Sequence, residues 1–130
     1  MQNQARHDEE FVYTYATMRP YLGRILLNVS HVDWRDLQES SYVLDDVREA
    51  LDACVDYVQR QPAADVEGQL EAIERVYSRL KSAESAPSIH RPHAGLKLAR
   101  EYADFVGRYY ISAPSGDVSR VAAMPAVTAR

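Results

Sequence analysis

The sequence predicts an all-α fold, an antiparallel up-down four-helix bundle with a proline-kinked first helix and an extended C-terminal tail. Three observations carry this. Phe11, Tyr15, Met18, Leu22, Ile25, Val29 and Val32 are spaced alternately four and three apart, and Leu37, Leu44, Leu51 and Val58 recur every seven, with Val47 and Cys54 between them. Such spacing keeps side chains on one face of an α-helix. Two further stripes follow, Val66, Leu70, Ile73, Tyr77 and Leu80, then Leu98, Tyr102, Phe105 and Tyr109. Short connections between stripes require successive helices to lie antiparallel.

Each element has its own signals. The first helix is expected over about 8–32, with Asp8, Glu9 and Glu10 facing the positive end of its dipole. Pro20 falls inside it, and because the apolar register continues through the proline the reading is a kink; the alternative is a new helix capped by Thr17. Asp33 followed by Asp36 resembles a cap with an acid at the third helical position, predicting a second helix over about 34–60 that Pro62 terminates. Asp65 is positioned to cap a third helix, about 66–84, with Glu71 pairing to Arg75 and Arg79 on its solvent side. Residues 85–91 read as a loop. Pro92 suits the first turn of a fourth helix, about 92–111. Residues 1–111 therefore form the bundle domain and 112–130 the tail.

The chain of 130 residues is long enough to bury a core without metals or disulfides. Its net charge of −4 argues against a nucleic-acid-coating role. The acids concentrate early: residues 1–61 hold 11 acidic and 6 basic side chains. The N-terminal ten residues lack the apolar core of a signal peptide, and no apolar run approaches the ~20 residues a membrane span needs. The single cysteine, Cys54, lies on an apolar stripe and reads as a buried, inert thiol. A cytoplasmic protein follows, or part of a virion assembled in the cytoplasm, with no membrane partner.

Two helices carry more apolar surface than one buried face requires. On the fourth, Gly95, Ala99, Ala103 and Gly107 recur every four residues and would let another backbone approach, beside Tyr102, Tyr109 and Tyr110; Leu96, Leu98, Phe105 and Val106 widen the stripe. This predicts a subunit interface on that helix, against the alternative that it is the central helix of its own bundle. The second helix adds Val43, Ala50, Val55 and Tyr57. It also lines up Asp45, Glu49, Asp52 and Asp56 at four, three, four spacing, a solvated face or a docking strip for a basic partner segment. Nine tyrosines outnumber the other aromatics; Tyr13, Tyr21, Tyr42, Tyr109 and Tyr110 sit at stripe edges, where an apolar ring with a polar tip rims a core or anchors a partner. In the tail, Pro114, Val118, Val121, Met124 and Pro125 form either a frayed terminus or an arm that docks on a neighbour.

Chemical motifs are sparse. His90 and His93 lie three apart, but no further metal ligand is placed near them. His93 with Lys97 resembles the site of histidine phosphotransfer domains, which are also four-helix bundles, except that the lysine there follows at three residues and here at four. Arg24 and His31 resemble the RNase motif of helical HEPN domains, with an apolar stripe between them. There is no Gly-rich phosphate loop, Glu-x-x-His pair, cysteine cluster or serine-nucleophile turn. The expectation is no catalytic residue, no cofactor and no metal. In layout alone the chain resembles the small helical adaptor proteins that form rings between a phage portal and its tail. That resemblance implies an oligomeric, non-enzymatic structural subunit whose partners are protein, itself or another chain. The alternatives are a monomeric regulator or chaperone-like binder using the acidic strip, and a small helical enzyme or phosphorelay carrier.

Overall fold

A computed structural model describes residues 14–60 and 65–111. Within them the chain forms α1 (Tyr15–His31), α2 (Leu37–Arg60), α3 (Val66–Ser85) and α4 (Arg91–Val106), the last extended by a π-helical turn, Gly107–Ile111. The bundle is all-α, with no strand among the described residues. Each helix packs on its neighbours in the chain, and α4 returns to close against α1. Cross-helix bonds fix the antiparallel order. Arg48 and Asp52 of α2 meet Glu84 and Tyr77 of α3 in reversed sequence, and Gln69 and Arg79 of α3 meet Tyr110 and Glu101 of α4 likewise.

The four stripes converge on one core. Met18, Leu22, Ile25 and Val29 of α1, Val47, Leu51, Cys54 and Val58 of α2, Ile73, Val76 and Leu80 of α3, and Leu98, Tyr102 and Phe105 of α4 are all buried. Each large aliphatic or aromatic side chain removed from water stabilises by roughly 1.5–3 kcal/mol, so the repeated spacing and not any single contact drives collapse.

The helix ends differ from the sequence reading in instructive ways. α1 begins at Tyr15, because Thr14 and Thr17 form a reciprocal capping box and Thr14 is extended. The expected start at Asp8–Glu10, Phe11 and Tyr13 lie outside the described residues, as do Pro62 and the tail positions Pro114, Val118, Val121, Met124 and Pro125. Pro20 lies inside a continuous helix. The second cap is Asp36, not Asp33: its carboxylate accepts from the Glu39 N–H at 3.0 Å, so α2 starts at Leu37. Asp33 instead closes the preceding turn, accepting from the Arg35 N–H at 3.1 Å. Asp65 caps α3 as expected, accepting from the Gly68 N–H at 3.1 Å in a left-handed conformation (φ 63°). A side chain at 68 would overlap that carboxylate. Arg75 and Arg79 do not pair with Glu71; both reach Glu101 on α4, at 3.5 and 3.4 Å, because packing α3 on α4 offers a half-buried carboxylate between them. The 85–91 connection contains a 3₁₀ turn, Ser88–His90, and Pro92 sits in the first turn of α4.

Candidate partner-binding surface

The core takes in most, but not all, of the large apolar side chains. Helix α4 is used almost entirely by its own bundle. Gly95 is buried because the indole of Trp34 lies on it, leaving no room for a Cβ. Tyr102 is fully buried, and its hydroxyl donates to the Leu22 carbonyl on α1 at 3.0 Å. Tyr110 is buried among Tyr15, Tyr57 and Phe105, with ring centroids 5.6–6.0 Å apart, and its hydroxyl donates to Gln69 Oε1 at 3.3 Å. The Tyr110 carbonyl in turn accepts from the Tyr15 hydroxyl at 2.8 Å. Burial pushes the phenols of Tyr102 and Tyr110 well above their ordinary range and raises the Cys54 thiol to about 12.

Of the seven residues read as an interface strip on this helix, Gly95, Ala99, Tyr102 and Tyr110 are thus internal. Ala103, Gly107 and Tyr109 are half-buried, with the Tyr109 hydroxyl donating to Asp65 at 3.2 Å. The strip faces α1, α2 and α3 because α4 closes the bundle and needs two apolar flanks; a wheel diagram cannot separate that from an outward face. The extra residues of α2 are similarly absorbed: Val43 and Ala50 are buried, while Val55 and Tyr57 pack at the core's edge.

The acidic strip is also divided. Asp52 accepts from the Tyr77 hydroxyl, and Asp56 accepts from Arg60 Nε at 2.9 Å. Asp45 and Glu49 stay exposed beside Arg48, which bonds to Glu84, and that bond holds the Arg48 guanidinium above its ordinary value.

What remains outside is concentrated at one end. Among the described residues six large apolar side chains are exposed, and five lie within two turns of the α1–α2 or α3–α4 connection: Ile89 (80%), Leu27 (62%), Tyr42 (60%), Leu37 (56%) and Leu96 (48%). Leu37 heads the α2 stripe in sequence but is exposed in space, on the wall of a groove and not in the core. Tyr42 separates two grooves. One, of about 510 Å³, runs between α1 and α2 past Leu27, Val32 and Val43, with Glu39, Asp46 and His31 on its walls. The other, of about 550 Å³, lies on the opposite side of Tyr42 along Leu37 and Leu44, with Asp45, Glu84 and Arg91. The Tyr42 hydroxyl accepts from Gln38 Nε2 at 3.0 Å, which steadies the ring between the grooves.

Tyr42 and Leu96 were visible in sequence as edge positions, but Leu27 was missed. The signal existed: Leu27 falls on the far side of α1 from Leu22 and Ile25 at 100° per residue. Ile89 sits in a connection where periodicity says nothing.

His90 and His93 are exposed, and His31 lines the α1–α2 groove, while Arg24 lays its guanidinium over the Tyr21 ring at 5.8 Å. Among the described residues no three metal-ligating side chains group together, and no helix is long and apolar enough to cross a membrane. Comparison with protein-family models, with curated proteins and with solved structures gives no match to this chain.

Proposed function

We propose that the protein is a non-enzymatic, protein-binding structural subunit that self-associates through the connection end of the bundle. One observation carries this reading: among the described residues five of the six exposed large apolar side chains lie at that end, and three of them, Leu27, Leu37 and Tyr42, line two adjoining grooves. Scattered apolar residues are ordinary on a surface, whereas a gathered set rimmed by polar groups marks a contact site. Burying one such side chain returns roughly 1.5–3 kcal/mol, while association costs about 4–15 kcal/mol in lost freedom, so a single anchor is insufficient and a cluster is required. Tyrosine is the usual central anchor. A head–tail adaptor-like ring component is the setting suggested by likeness of layout, which is a fold-level argument.

The test is the mass of the full chain in solution across a wide concentration range, beside Tyr42→Asp and Ile89→Asp. The expected result is a concentration-dependent oligomer whose dissociation constant rises about tenfold or more in each variant, about 1.4 kcal/mol, with helical circular dichroism unchanged. A chain that stays monomeric at every concentration reached would remove the self-association reading.

A further inference from the structure

The α1–α2 groove has a chemistry that selects its occupant. Its floor is apolar, from Leu27, Val32, Val43 and the Tyr42 ring, and two carboxylates, Glu39 and Asp46, stand on the α2 wall. Among the described residues neither carboxylate has an ion-pair partner. A segment that fits must be apolar along one side and carry positive charge without negative charge. Residues 118–130 of this chain answer that description: Val118, Val121, Met124 and Val127 recur every third residue, Arg120 and Arg130 supply the cations, and the segment holds no acid. A period of three would line one side of an extended polyproline-type helix, and Pro125, beside that line, favours such a backbone.

The exit point is favourable as well. Ile111 places its Cδ1 3.7 Å from where Gly23 of α1 would carry a Cβ, and Leu27, the first residue of the groove, is one turn further along the same helix. From Gly23 to Val32 is about 14 Å of α-helix. The seven residues from Ile111 to Val118 span up to about 25 Å, so the segment reaches the groove of its own molecule. A tether of this length gives an effective concentration of about millimolar, which favours the segment's own groove over one on another molecule.

We infer that residues 118–130 dock in the α1–α2 groove of the same chain, with Arg120 or Arg130 against Glu39 and Asp46. This rests on the proposed contact surface, which the docked segment would cover in part.

The experiment uses the full chain. A nitroxide is attached at Ser119→Cys, Cys54 being buried and inert, and amide signals of Leu27, Tyr42 and Asp46 are followed in the isotope-labelled protein. The expected result is loss of those signals by paramagnetic broadening, recovered in Val121→Asp/Met124→Asp and weakened in Glu39→Lys/Asp46→Lys. Recovery should also grow with salt, since the charged rim is screened. Absence of broadening would overturn the inference. So would broadening, in the Ile89→Asp background that weakens self-association, in a mixture of isotope-labelled protein without nitroxide and nitroxide-labelled protein without isotope, because the occupant would then be a second copy's segment. Neither outcome touches the proposed function, which stands or falls on the concentration dependence of mass and its response to Tyr42→Asp.

Discussion

At Gly95 a single hydrogen atom allows Trp34 to lie against α4. Replacing it by alanine would gain up to about 1 kcal/mol of helix propensity, but the new Cβ overlaps the indole, and forcing a ring off a packed helix costs about 1–3 kcal/mol or more. Gly95→Ala should therefore destabilise the protein. At Gly107 a Cβ meets no atom within 4 Å, so Gly107→Ala should stabilise by up to about 1 kcal/mol. Urea denaturation of the two variants checks the opposite signs. Cys54 gives a pH prediction. Its thiol rises from an ordinary 9.0 to about 12 in the folded state because burial disfavours the thiolate. The folded chain thus holds its proton longer than the unfolded chain, and this contribution to stability is intact below pH 9 and disappears as pH climbs from 9 through 12. Denaturation midpoints measured over that window should fall less steeply in Cys54→Ala than in the parent; Tyr77, Tyr102 and Tyr110, whose phenols are also raised, add alkaline loss in both.

For the helices as elements, the informative pair is Asp33 and Asp36. Both are acids ahead of α2, and sequence spacing alone made Asp33 the cap. The structure assigns the cap to Asp36, whose oxygen meets the Glu39 N–H. Asp33 belongs to the turn, where the Arg35 backbone N–H and then its guanidinium hold the carboxyl below its usual range. Asp36→Ala should cost about 1 kcal/mol and fray the first turn of α2, whereas Asp33→Ala should cost less and leave that turn protected. Amide hydrogen exchange at Glu39 and Ser40 separates the two. The same element explains a limit of periodicity: Leu37 keeps the heptad register of Leu44, Leu51 and Val58, yet it is exposed while they are buried. A stripe tells which way a side chain points, not whether anything stands opposite.

For the whole molecule, replacing Leu27 or Ile89 by aspartate should leave the unfolding free energy within about 0.5 kcal/mol of the parent, since neither belongs to the core, while weakening self-association measured by sedimentation. Stability and assembly thus separate onto different residues, which a helix wheel alone could not foresee. The alternating spacings determined that four helices form and which face of each turns to the core, because a side chain's direction on a helix is a local property repeated every 3.6 residues, and the short connections determined that consecutive helices run antiparallel. Tertiary packing alone decided how the surplus apolar surface is divided. It turned Gly95, Ala99, Tyr102 and Tyr110 inward by closing α4 on α1, tied Asp52 and Asp56 into local bonds, and left Leu27, Tyr42 and Ile89 outside. The physical reason is that burial belongs to pairs of elements: it depends on what lies across from a residue, and that is set by crossing and by length, neither of which one helix's sequence contains.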